Sequence, residues 1–198
     1  MSTINLVKGQ KIDLTKGNAG LTKVIVGLGW DPVKQSRGFF GGKKQANIDC
    51  DASALLLNEN GKLTDVKNLV CFHNKTSLYN AVVHSGDNVT GEGEGDDEQI
   101  EIDLVKVPQD VSKILVVVNI YDCINRKQDF GMIQSAYIRV LNGSNSNELI
   151  KFNLSDNYAG KTALICGELY RHGGEWKFAA IGEGTQAAHI NQLAEQYK

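Results

Sequence analysis

Thirteen consecutive residues, Gly86 to Glu98, hold six carboxylates, four glycines and no basic side chain. Two carboxylates about 4 Å apart repel by roughly 4 kcal/mol at an effective dielectric of 20. A segment built this way is costly to close unless cations neutralise it. Calcium does so with six to eight oxygens, drawn from carboxylates, Asn side chains and backbone carbonyls. Asp87, Asn88, Glu92, Glu94, Asp96, Asp97 and Glu98 supply the side-chain oxygens. The glycines allow backbone turns that other residues avoid. The stretch is not an EF-hand. Asp87 to Glu98 has the right length, but Glu92 stands where that loop requires glycine, and Val89 and Gly91 where it requires oxygen ligands.

A second acidic pair lies in NIDCDAS, residues 47–53. On a strand, Asp49 and Asp51 share one face, opposite Ile48, Cys50, Ala52 and Ala54. Two carboxylates side by side on a strand need water or a cation. Asp31 ends the alternating run KVIVGLGW and can reach the same tip. The expectation is an apex where separate strands deliver acids to one or two divalent ions.

The elements that must position these residues are strands. Period-two alternation marks Lys23–Trp30, with Val24, Val26, Leu28 and Trp30 on one face, and Gln99–Val107. Lys113–Asp122 is a β-branched run suited to a central strand. Weaker strand patterns cover 48–57, 69–73, 81–84, 135–141 and 148–154. Residues 169–178 read as a hairpin, because Gly173 and Gly174 suit a two-residue turn with positive φ. One helix is predicted, starting at a Thr185 cap, with Ile190, Leu193, Ala194 and Tyr197 at i, i+3, i+4 and i+7. The fold class is therefore all-β: an antiparallel β-sandwich of about ten strands with a short C-terminal helix. The acidic loop would join a strand ending near His84 to one starting at Gln99.

With 198 residues and no internal repeat or linker, the chain reads as a single domain, 1–198. A net charge of −2 gives no sign of a nucleic-acid partner. Met1–Gln10 has no charged-then-apolar leader pattern, and no apolar run approaches the roughly 20 residues of a membrane span. A cytoplasmic protein is expected. Cys50, Cys71, Cys123 and Cys166 form no CxxC pair and read as reduced, small core residues.

The motifs VVHSGDNVTGEGEGDDE (82–98), KVIVGLGWD (23–31), DCDASALLLN (49–58) and GELYRHGGEWKF (167–178) resemble the TerD family of tellurium-resistance and general-stress proteins. The resemblance starts at LVKGQKIDLTK (6–16) and runs nearly to the C-terminus. It implies a cytoplasmic, calcium-binding β-sandwich and no settled enzymatic activity. Carried onto this sequence, it implies calcium ligands at Asp31, Asp49 and Asp51, with Asp87, Asn88, Asp96, Asp97 and Glu98, and weaker candidates at Glu92 and Glu94. One or two ions are expected. Asn47 stands where the family usually has a third acid, which removes a charge. The partners implied are other stress-resistance proteins, with peripheral membrane association as a further candidate and no small-molecule substrate in evidence.

The alternative function is a metal-dependent phosphoester hydrolase using the acidic tip. Its weakness is the lack of a base or anion clamp apart from Lys43 and Lys44, which lie in a basic loop that could also dock an anionic partner. GGKK is not a phosphate loop, since Arg37 stands where its first glycine belongs. There is no GxSxG, HExxH or Cys–His signature, so no catalytic residue is assigned. His73, His84, His172 and His189 show no ligand spacing and read as structural or surface residues. Glu168 and Arg171 are expected to pair across the hairpin, and Asp122 to join the metal tip or cap a turn.

Overall fold

The computed structural model describes residues 3–32, 48–85 and 95–198. Among the described residues, twelve strands form two six-stranded sheets. The first sheet runs in the order β1 (Ile4–Leu6), β10 (Glu148–Asn153), β9 (Ile133–Asn142), β3 (Lys23–Pro32), β7 (Glu98–Asp103), β6 (Val82–His84). The second runs β2 (Lys11–Asp13), β12 (Glu175–Thr185), β11 (Ala163–His172), β8 (Lys113–Ile120), β4 (Cys50–Leu57), β5 (Leu69–Val70). The expected sandwich is present, with one departure from antiparallel pairing: β1 runs parallel to β10 at the sheet edge.

Alternation places the core. Val24, Val26, Leu28 and Trp30 of β3, with Ile100 and Ile102 of β7, face Cys50, Ala52, Ala54 and Leu56 of β4 and Ile114, Val116, Val118 and Ile120 of β8. The opposite faces of β4 and β8 are buried too. Leu55, Leu57, Leu115 and Val117 form a second cluster with Ile190, Leu193 and Ala194. The C-terminal segment therefore lies on the outside of the second sheet, and every residue of β4 is buried.

That segment folds later than the sequence predicts. Thr185 is the last residue of β12, and helix α2 spans Ile190–Ala194. His189 caps it, with its Nδ1 accepting from Gln192 N at 3.2 Å. The Thr185 hydroxyl accepts from Ala187 N instead. The turn between β11 and β12 is as expected, with Gly173 and Gly174 both at positive φ. Glu168 and Arg171 do not meet across it. Glu168 pairs with Lys113 at 2.9 Å, while Arg171 donates to the carbonyls of Val107, Val111 and Pro108 and lies over Trp176. Residues 69–73 give a two-residue strand. Missed in the sequence were β1, β2 and a single helical turn, α1 (Cys123–Arg126).

All four cysteines are buried and unpaired. Burial holds Cys166 up to about 12, which keeps it a neutral thiol.

Candidate functional site

The end of β3 and the starts of β4 and β7 lie at one end of the sandwich. The Trp30 indole donates to Ile48 O at 3.1 Å, and Asp97 Oδ2 accepts from Trp30 N at 3.0 Å. Register explains the second bond. β7 pairs with β3 only as far as Glu98 opposite Leu28, so Asp97 bends away and its carboxylate takes the next free amide.

The predicted acids within the described residues fall into distinct settings. Asp31 is exposed on the outer face of β3 and accepts from the Ser135 hydroxyl at 2.7 Å. Asp97 is held above the ordinary aspartate pKa, first by burial and then by the charges of Asp31 and Asp96, against the lowering effect of the Trp30 amide. Asp96 turns back onto the outer face of the first sheet. Its carboxylate meets Arg139 Nε at 2.7 Å and Gln99 Nε2 at 3.0 Å.

Asp49 and Asp51 share a face, as predicted, and it is the outer face of the second sheet. Both are buried there, at 4% and 3% exposure. Asp51 Oδ2 accepts from Asn119 Nδ2 at 3.2 Å, its cross-strand partner on β8, and Asp49 lies 3.7 Å from Arg126. Glu98 points the other way, into the space between the sheets. Because β5 covers only Ala54 and Leu55, the edge of β4 at Ala52 lacks a strand partner. Glu98 Oε2 accepts from Ala52 N, and His84 Nε2 donates to Ala52 O at 3.1 Å. His84 Nε2 also lies 3.5 Å from Glu98 Oε2. The second carboxylate oxygen, Glu98 Oε1, is buried without a hydrogen-bond partner.

The settings remain electrostatically joined. After burial itself, the fields of Asp51, Asp49, Glu98 and Asp97 hold the Cys50 thiol well above its ordinary range. Four carboxylates from two sheets thus act on one buried sulfur. Among the described residues, however, no three His, Cys, Asp or Glu side chains are already arranged to hold a metal. Asp87, Asn88, Glu92, Glu94, Asn47, Lys43 and Lys44 lie outside the described residues.

Residues 1–197 match the TerD domain. The chain belongs to the TerD domain family. Stress response protein SCP2 of Bacillus subtilis is 60% identical over 197 residues, covering 98% of both chains. Tellurium resistance protein TerD of Serratia marcescens is 42% identical, covering 98% of this chain and 97% of its own. The fold is shared with the crystal structure of a telluride resistance protein (TerD) homologue from Streptomyces coelicolor, at a TM-score of 0.65 and 22% identity, over 87% of this chain and 98% of that one. This TerD-domain protein therefore sits in a tellurium-resistance and stress-response family. Among its described residues, no helix is long and apolar enough to cross a membrane.

His84 is structural, as the sequence leads one to expect, and seals the β4 edge beside Glu98. Sequence reasoning missed two other supports of the candidate site. Gly27 and Gly29 make room for Asp96 and for the Tyr137 ring. Two glycines at outward positions inside a strand were a legible sign that something lies against it. Asn119 interrupts a Val-rich run at the parity that places it beside Asp51. Asp122 stands at the N-cap position of α1 without a side-chain bond to the helix backbone; its carboxylate accepts from Asn125 Nδ2 at 2.6 Å and lies 3.8 Å from Arg126.

Proposed function

We propose that the protein is a calcium-binding module of the chemical-stress response, whose ion-ordered acidic end presents a surface to other stress-resistance proteins or to a membrane headgroup. The observation that carries this reading is the concentration of carboxylates from both sheets at that end. Glu98 keeps a buried oxygen without a partner, and the charges of Asp31 and Asp96 help raise the Asp97 pKa. Oxygen donors of this kind suit calcium, which accepts mixed carboxylate and carbonyl ligands in flexible geometry.

Asp31, Asp49, Asp51, Asp97 and Glu98 are the described residues proposed to hold one or two ions, with Asp87 and Asn88 completing the set. Asp96 is left to Arg139. Since no three groups are pre-assembled among the described residues, binding would draw separate segments together, which couples the ion to the shape of the surface. When bound, the ion supplies charge neutralisation, and the protein's own residues fix the strand ends that carry its ligands. No observation favours the hydrolase alternative.

The test is calorimetric titration with calcium after chelation, with the stoichiometry read directly, and melting curves in parallel. A hundredfold excess over Kd should stabilise the fold by about 2.7 kcal/mol. Magnesium should compete poorly, because it demands a tighter octahedral cage and keeps its waters. A protein that gives neither heat nor a shift in Tm with millimolar calcium is not a calcium module.

A further inference from the structure

We propose that the cavity between α1, α2 and the turn after β5 binds a small organic cation, an ammonium or amidinium joined to an apolar body. The cavity encloses about 370 Å3 on the outer face of the second sheet. That is within the roughly 300–1,000 Å3 typical of small-molecule sites.

Its floor offers acceptors. Asn119 is 3% exposed, and its Nδ2 is used on Asp51 Oδ2 at 3.2 Å. This orientation leaves Oδ1 as a buried oxygen with no hydrogen-bond partner. A buried acceptor left unmatched is unfavourable, so a donor-bearing ligand gains there. The Asp51 carboxylate lies beside it, and Asp122 adds a second negative charge to the lining. Asp122 also holds its backbone at φ 50, a left-handed conformation that clusters at functional sites.

The walls are apolar and aromatic. Phe72 and Tyr121 meet edge to face at 6.0 Å, and Ile124 is 66% exposed although it belongs to the cavity lining. Aromatic faces favour cations, and an apolar wall favours the body that carries one. No Lys or Arg is among the described lining residues. Arg126 stands over the Tyr121 ring outside that lining and is shared between Asp49 and Asp122 at 3.7 and 3.8 Å. Acceptors with negative charge below and aromatic walls beside select a donor-rich cation over an anion or a neutral alkane.

This inference goes beyond the calcium reading and shares only Asp51 with it. The experiment is therefore run in chelator, where calcium plays no part. Benzamidine is titrated into the isotopically labelled full chain, and benzamide serves as a neutral probe of the same shape. Benzamidine should shift the Asn119 side-chain amide and the Phe72 and Ile124 signals saturably, and benzamide should bind at least roughly tenfold more weakly. Asn119→Ala should weaken benzamidine by about tenfold. Ile124→Trp, at an exposed position, should block the cavity and abolish binding while calcium titration of the same variant stays as in wild type. If Asn119→Ala does not fold, Ile124→Trp carries the test alone. Absence of a saturable shift, equal binding of benzamide, or wild-type affinity in Ile124→Trp would each overturn the proposal.

Discussion

Asp96 Oδ1 lies 2.7 Å from Nε of Arg139, across the bare backbone of Gly27. The Asp96 side chain is fully buried, whereas the guanidinium is partly exposed and also reaches Glu148 at 3.1 Å. A Cβ added at Gly27 would stand 2.0 Å from Asp96 Oδ2, so the two cannot coexist. Gly27→Ala should therefore expel the carboxylate and break the pair. Arg139→Met should leave the carboxylate buried without its cation, a loss of about 3 kcal/mol for a buried pair. Combined, the two substitutions should be less than additive, because each removes the same interaction. Urea unfolding of the two single variants and the double variant measures this, and strict additivity would show that the clamp does not exist.

The Tyr137 hydroxyl donates to Gly95 O at 2.7 Å and sits beside Asp96. Burial, and then the Asp96 charge, push it up to about 12, from an ordinary 10.0. The sign follows directly. The neutral phenol is the form the fold prefers, so its contribution to stability is whole below pH 10 and is lost as pH rises through about 12. Ultraviolet titration should show a late phenolate step near pH 12 to which Tyr137 and Tyr158 both contribute. Tyr137→Phe should remove its share of that step. If the amplitude lost comes from the early-titrating group, Tyr137 is open to solvent and the contact with Gly95 is wrong.

How far the sequence carries is clearest from β3 and β4. Alternation in β3 named the correct inward set, because one face of that strand meets the core. The parity of Asp49 and Asp51 was equally legible, since side chains alternate whatever lies above them. The sequence could not show that the other face of β4 is covered as well. That face is buried by α2, a segment far along the chain, and the cap that starts it is His189 rather than a residue favoured by local propensity. Adjacency misled in the loop. Asp96, Asp97 and Glu98 look equivalent as three acids in a row, but strand pleat and the end of the β3–β7 ladder send them to an ion pair, a backbone amide and the interior. The short edge strands β1 and β2 carried too few residues for a period to register.

Glu98 and His84 substitute for a missing strand at the Ala52 edge of β4. Glu98→Gln keeps an acceptor for Ala52 N but introduces a buried N–H₂ where Oε1 stands. Glu98→Ala removes the acceptor altogether, at about 1–3 kcal/mol for an unsatisfied buried amide. The Ala52 amide should exchange with deuterium slowly in wild type, faster in Glu98→Gln and fastest in Glu98→Ala. His84→Ala should speed it less, because the ring binds the carbonyl rather than the amide. An Ala52 amide whose protection is untouched by Glu98→Ala would mean that something else seals the edge.

Asp97 gives the calcium reading its sharpest stability test. Its raised pKa means that, without a cation, the ionised carboxylate is worse off folded than unfolded. The stability tied to its neutral form is complete below the ordinary value of 3.8 and lost as pH rises through the raised folded value. At neutral pH, then, Asp97 is a liability in chelated protein. Asp97→Asn keeps an oxygen for Trp30 N and drops the charge, so it should raise Tm in chelator at pH 7 and leave it little changed near pH 3. With calcium the order should invert, since wild type gains an ion that the variant holds less tightly. Melting curves of both proteins, with and without calcium at the two pH values, decide the matter. A variant that is less stable than wild type in chelator at pH 7 would show that the Trp30 contact, not charge repulsion, governs Asp97.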